Sequence, residues 1–354
     1  MWRKVSSRSV VAFLPVIALI LFSASFSSFL LAQSKLPPPQ PKQDEQGIDP
    51  DDVISINTTE VLLPVTVRDN RGLLVTNLTR RDFRIFEDGT QQSLSDLSLR
   101  QVPVDIALIV DASSSVAENL EDFRVAAGGF AAHLSEDDRV SLIQFDDRVV
   151  LLQDWTKSLV QFRRALRRIV PGMFTRFHDA MLLASRDQTP RAQARHAVIV
   201  LTDGIDSGRG ASFAAALRAA LQYQTTIYVV SNTQIERSKK KEELSALLSA
   251  SESAIRFNRL RIEDLRLGLE ALDQSELRLE ELTAATGGRL YKPATFQDLE
   301  KTYAEVADEL RHQYALYYSP LNSKRDGQFR NVRVETTDSG HRVSARIGYY
   351  APKK

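Results

Sequence analysis

Val104-Asp-Ile-Ala-Leu-Ile-Val110 runs directly into Asp111-Ala-Ser113-Ser-Ser115. The first stretch is short, almost wholly apolar and bounded by Pro103 and a polar cluster. That texture belongs to a strand buried on both faces. Such a strand delivers one carboxylate and two hydroxyls to the loop at its C-terminal end. Oxygen donors gathered in this way suit Mg²⁺ or another hard divalent cation such as Mn²⁺ or Ca²⁺.

Working outward, the chain from Pro103 alternates apolar runs with amphipathic helical segments. Strands are expected at 104–110, 138–145, 148–153, 195–202, 225–231 and 289–292. Helices are expected at about 116–134, 158–169, 176–187, 211–223, 276–286 and 296–313. This alternation predicts an α/β fold, a doubly wound and mostly parallel six-stranded sheet with helices on both faces. Only Asp146-Asp147 separates the second strand from the third. So short a link permits only an antiparallel hairpin, which places one antiparallel strand at the sheet edge. Residues 234–275 are charge-dense with helical spacing, as in Arg259-Leu-Arg-Ile-Glu-Asp-Leu-Arg266. They read as an inserted helical excursion with solvated faces.

The flanks have a different texture. Residues 54–102 and 313–354 carry short alternating runs and turn signals such as Glu87-Asp-Gly89 and Asp338-Ser-Gly340. Neither flank buries enough surface to stand alone. They are therefore expected to combine into one small all-β domain, with the α/β unit of residues 103–312 inserted in it. Upstream, Arg3 and Lys4 precede an uncharged apolar run from Val10 to about Ala32. This reads either as a cleaved export signal or as a retained anchor in the inner membrane. Residues 33–53 form a polar, proline-rich linker. Both readings put the folded body outside the cytoplasm: periplasmic, at the cell surface or secreted.

Composition narrows the function classes. A chain of 354 residues with a formal net charge of +1 gives no reason to invoke nucleic acid. The absence of cysteine excludes disulfides, thiolate metal sites and a cysteine nucleophile. No Gly-x-Ser-x-Gly, His-Glu-x-x-His or phosphate-loop motif is present. His178 is the histidine nearest the Asp111 loop candidates, and it reads as a packed helix residue, not a base.

In an open parallel sheet, ligands bind beyond the C-terminal strand ends. Ala197-Val-Ile-Val-Leu-Thr-Asp203 delivers Asp203 to that edge, and Thr175 lies in a loop before the next helix. Asp111, Ser113, Ser115, Thr175 and Asp203 thus come from three loops. Asp179 and Asp206 read as capping or supporting residues. The order Asp-x-Ser-x-Ser, Thr, Asp resembles a von Willebrand factor type A domain with a metal-ion-dependent adhesion site. The flanking Asp82-Phe-Arg-Ile-Phe-Glu-Asp-Gly89 and Arg346-Ile-Gly-Tyr-Tyr350 look like a related family of acidobacterial-type envelope proteins.

The resemblance implies that the hydroxyls of Ser113, Ser115 and Thr175 contact the cation directly, while Asp111 and Asp203 act partly through water. It also implies an exchangeable position for an Asp or Glu of a partner protein, and so binding, not catalysis. One departure stands out: Met173 and Phe174 precede Thr175 where the family carries more glycine. Two further readings are a structural envelope component with a stabilising metal, and a metal-assisted hydrolase.

Overall fold

The computed structural model describes residues 60–99, 102–113, 119–187, 194–207 and 210–353. The apolar run 10–32, the linker and Ser115 lie outside the described residues. Residues 56–354 form one compact unit. Its first strands are β1 (Val61–Arg68), β2 (Phe83–Glu87), β3 (Thr90–Gln92) and β4 (Leu94–Leu99). The α/β body follows with β5 (Val104–Asp111), α1 (Leu120–Ala132), β6 (Arg139–Phe145), β7 (Val149–Thr156) and α2 (Leu159–Leu166). Next come α3 (Phe177–Leu182), β8 (Arg195–Thr202), α4 (Phe213–Gln222) and β9 (Thr225–Ser231). The remaining body elements are α5 (Thr233–Leu248), α6 (Glu252–Phe257), α7 (Arg259–Thr286), β10 (Leu290–Tyr291) and α8 (Leu299–Arg311). The chain closes with β11 (Tyr314–Tyr318), β12 (Phe329–Thr336), β13 (Arg342–Ser344) and β14 (Gly348–Tyr350).

The six-stranded sheet has the order β10-β9-β8-β5-β6-β7. All pairings are parallel except β6 with β7, the antiparallel edge expected from the short Asp146-Asp147 link. Every residue of β5 is buried, because side chains alternate between two covered faces. Val104, Ile106, Leu108 and Val110 meet α1, α2 and α8 on one side. Ala107 and Ile109 meet α3, α4 and α7 on the other. Tyr303 of α8 wedges edge-on between Phe123 and Phe130 of α1, at 6.2 and 5.9 Å between ring centroids. Ser158 and Ser212 cap α2 and α4 by accepting from Gln161 N and Ala215 N. Each cap is worth about 1 kcal/mol.

The flanking strands assemble into two four-stranded sheets, β13-β1-β11-β4 and β14-β12-β2-β3. Each mixes strands from before and after the α/β body. β4 and β11, which lead into and out of that body, are antiparallel neighbours, with Leu99 opposite Tyr314. Leu63, Val65, Ile85, Tyr314, Leu316 and Tyr318 fill the core between the sheets. Buried Glu87 accepts from the hydroxyls of Tyr318 and Tyr349 at 2.8 and 2.9 Å.

Polar contacts join sandwich and α/β body. Arg68 of β1 pairs with Glu309 of α8, which also accepts from the Tyr291 hydroxyl at 2.8 Å. Buried Arg346 donates to Leu62 O at 2.7 Å and Gln224 Oε1 at 3.0 Å.

The excursion departs from its expected form in two ways. The helix expected at 276–286 is the end of a continuous 28-residue α7. No proline interrupts it, strong helix formers dominate, and Leu265, Leu272 and Leu279 repeat along one buried stripe. It runs antiparallel to α5, tied by Arg237 to Asp273 and Glu276 and by Arg261 to Glu243. Its tip is also less polar than the charge pattern suggests, since Phe257 and Leu260 are exposed. Among the described residues, no helix is long and apolar enough to cross a membrane.

His196 gives the fold an acid-sensitive point. Its ring is buried on β8, with Nδ1 3.1 Å from Thr225 Oγ1. Burial pushes it down to about 4, opposed by the nearby Asp105 charge. The unfolded ring titrates near 6.5. Between those values the unfolded chain holds more protons, so stability rises with pH across the window and is lost on acidification. The span corresponds to about 3 kcal/mol. His196→Gln should flatten this part of the stability–pH curve, read by denaturant unfolding from pH 4 to 6.5. An unchanged slope would exclude the ring as its source.

Candidate metal site at the sheet edge

β5 and β8 are adjacent and parallel, with Val110 opposite Leu201. Their C-terminal ends therefore release Asp111 and Asp203 side by side. Asp111 is fully buried. Its Oδ1 accepts from Ser113 N at 2.9 Å, and its Oδ2 accepts from the Thr202 hydroxyl at 2.8 Å. Asp203 sits nearer solvent, with Oδ1 accepting from Ile205 N at 3.0 Å. Ser275 of α7 donates to its carbonyl. Gly204 follows at φ 72°, and a Cβ there would lie 2.5 Å from Ser275 Oγ. The turn that aims Asp203 thus needs a residue without a side chain.

The two carboxylates are electrostatically uncomfortable. Burial raises Asp111 to about 6, partly offset by its hydrogen bonds from Ser113 and Thr202. The Asp146 charge adds to the rise. Burial also raises Asp203 to about 7, and repulsion from Asp111 reinforces it. Like charges in a desolvated site favour whatever neutralises them.

The Thr175 loop is held to both neighbours. Gly172 N donates to Ala112 O at 2.8 Å, which ties it to the Asp111 loop. Thr175 N donates to Ser207 Oγ at 2.9 Å, and Ser207 N donates back to Thr175 O at 3.1 Å. Those bonds tie it to the Asp203 loop. Thr175 itself is buried. Asp206 accepts from His178 N at 2.9 Å, at the start of α3, and its Oδ2 lies 2.8 Å from His178 Nδ1. Asp179 accepts from Ala211 N at 2.9 Å. Both aspartates support loops, as their positions suggested.

Of the five expected ligands, Asp111, Ser113, Thr175 and Asp203 lie on three mutually bonded loops at one edge, and Ser115 lies outside the described residues. His178 is buried against Phe177 and Phe213. His196 sits within β8, away from this edge. Sequence reasoning overlooked Asp146, Asp147 and Ser207. Asp146 packs against Gly172, where a Cβ would come within 2.4 Å of its own Cβ. Asp147 accepts from Phe174 N at 2.8 Å. A signal existed: two aspartates in a tight turn after β6 must emerge at the same edge. Among the described residues no three His, Asp or Glu side chains gather to hold a metal. The candidate set instead mixes two carboxylates with hydroxyls, a donor set that fits a hard divalent cation.

Residues 105–274 match the von Willebrand factor type A domain family. A stretch of 109 residues is 28% identical to the uncharacterized protein sll0103 of Synechocystis sp., spanning 30% of this chain and 26% of that protein. The match thus covers about a quarter of that relative's length. Among solved structures, similarity extends to a von Willebrand factor type A protein from Catenulispora acidiphila. It is 11% identical over 84% of this chain and 74% of that one, with a TM-score of 0.45. Proximal thread matrix protein 1 of the mussel byssus, in a form with a zinc-occupied MIDAS motif, is 15% identical. That match covers 63% of this chain and 49% of the other, also with a TM-score of 0.45. Given its doubly wound sheet and the match across residues 105–274, the α/β body of this chain is a von Willebrand factor type A domain.

Proposed function

We propose that this chain is an exported, divalent-cation-dependent protein-binding module whose sheet edge receives a carboxylate from a partner. The observation that carries it is the convergence at that edge. Two acid side chains from neighbouring parallel strands meet a threonine loop bonded to both. Asp111, Ser113, Ser115, Thr175 and Asp203 would hold the ion. A bound Mg²⁺ or Mn²⁺ supplies an exchangeable coordination position open to an Asp or Glu oxygen. Asp111 and Asp203 balance its charge, and Thr202 and Ser113 N fix the Asp111 carboxylate. The Ser207 and Asp206 contacts hold the threonine loop in place. Among the described residues His178 is the histidine nearest this edge in sequence, and it is packed against Phe177 and Phe213 with Nδ1 engaged by Asp206, which favours binding over turnover. Export rests on the basic start and apolar run 10–32.

Calorimetric titration of the purified chain with MgCl₂ or MnCl₂ should show saturable uptake at one site, reversed by EDTA. Absence of saturable heat with both ions would sink the proposal.

A further inference from the structure

Thr175 is buried, yet the residues just before it are strongly exposed: Val170 at 64%, Met173 at 78% and Phe174 at 58%. These apolar side chains do not sit on a loose loop. Gly172 N is bonded to Ala112 O, Phe174 N to Asp147 Oδ1 and Thr175 N to Ser207 Oγ. A fixed backbone thus presents Met173 and Phe174 to solvent beside the candidate ion. Holding such groups in place lowers the ordering cost of a later contact. Met and aromatic side chains are enriched in interface cores.

The segment that carries them has ionic side chains of one sign, although Asp147 meets Phe174 N from the neighbouring turn and Arg176 lies 3.6 Å from Asp179. Residues 155–178 contain five arginines, one lysine and no acidic residue. Arg167 and Arg176, on this same loop, are exposed. Basic groups, an apolar pair and a cation site with room for a carboxylate complement one kind of segment: acidic, with an apolar neighbour.

We propose that the partner is a polypeptide segment pairing an Asp or Glu with an adjacent large apolar side chain. The carboxylate would go to the ion, and the apolar group would pack on Met173 and Phe174. The inference rests on the metal-bridged reading above. An anionic lipid surface would use the arginines but would not need the ion.

The test is a random peptide display library panned on the immobilised full chain in MgCl₂ and eluted with EDTA. The same selection is run on a Met173→Ser/Phe174→Ser variant whose Mg²⁺ uptake matches wild type. Both side chains are exposed, so the fold tolerates the change. Wild-type eluates should show an acidic residue beside Leu, Ile, Met or Phe. Burial of one such side chain should enrich the pairing about tenfold. Variant eluates should keep the acid and lose the apolar neighbour. Acidic peptides with no apolar preference would overturn this inference and leave the metal-bridged reading standing. If EDTA releases no acidic peptides, that reading fails and this one with it. Equal sedimentation of wild type with anionic vesicles in MgCl₂ and in EDTA, together with no apolar preference, would assign the patch to lipid and overturn the proposal.

Discussion

Asp111→Asn is expected to abolish saturable Mg²⁺ uptake while leaving the chain folded. The amide can keep the bond from Ser113 N on its oxygen. Thr202 Oγ1 can turn to accept from the new NH₂ group, because a hydroxyl has two lone pairs and Gly204 N occupies only one of them. Geometry is therefore largely conserved, and charge is not. Removing one member of a buried charge pair typically costs about 3–5 kcal/mol, so affinity should fall by about 100-fold or more. Without metal the sign reverses. In the wild type, burial raises both Asp111 and Asp203, with repulsion from Asp146 adding at Asp111 and repulsion from Asp111 adding at Asp203, and ionising both costs stability. Near neutral pH the metal-free variant should therefore unfold at or above the wild-type temperature. Calorimetry and thermal unfolding with and without MgCl₂ read both effects. Wild-type uptake by the variant would remove Asp111 from the ligand set.

At the opposite end of the sheet, Arg195→Ala should cause the largest loss of stability. Its buried guanidinium donates to Val102 O from Nε at 3.2 Å and from Nη2 at 3.0 Å. It also reaches Leu310 O at 2.7 Å and Gln313 Oε1 at 3.2 Å. Those acceptors belong to the segment entering β5, the last turn of α8 and the segment that follows it. One side chain therefore staples both crossings between sandwich and α/β body to the base of β8. Burial lowers its pKa, a measure of how fully it has left water. Truncation leaves several buried carbonyls without donors, and charged hydrogen bonds contribute about 1.5–3 kcal/mol each. A loss of about 3–5 kcal/mol is expected, lowering Tm by roughly 10 °C. Arg195→Lys should recover little, because an ammonium cannot span the same fork. Mg²⁺ uptake by the folded fraction should persist, since the ion edge lies at the far ends of the strands. Unchanged Tm in the alanine variant would show that the crossings are held by other contacts.

The α/β fold was legible because its strands are uniform apolar runs and its helices have one-sided faces. Val104–Val110 and Ala197–Leu201 announce buried parallel strands, and Asp146-Asp147 forces the antiparallel edge. The same logic placed Asp111 and Asp203 at one rim, since both follow parallel strands. What the residues did not reveal was how the loops are joined. Ser207 against Thr175 and Asp147 against Phe174 are backbone-to-side-chain bonds between segments distant in sequence, and no periodicity encodes them. The long α7 was missed for a different reason. Its outer half is charged on most faces, so the pattern there resembled a solvated insertion although the backbone continues unbroken. Arg195 was invisible as a staple because one arginine at a strand start has no pattern of its own.

The adjacency of β4 and β11 has a mechanical consequence. The α/β body hangs from two neighbouring strands, so tension between the two ends of the folded chain passes through the sandwich and bypasses the ion edge. A load applied to the α/β body would instead enter both strands together at their Leu99–Tyr314 end. Cross-strand hydrogen bonds lie perpendicular to such a pull. The bonds joining β11 to β1 are then sheared all at once and are not peeled one by one. The sandwich would thereby bear such a load along its strands, its stiffest direction.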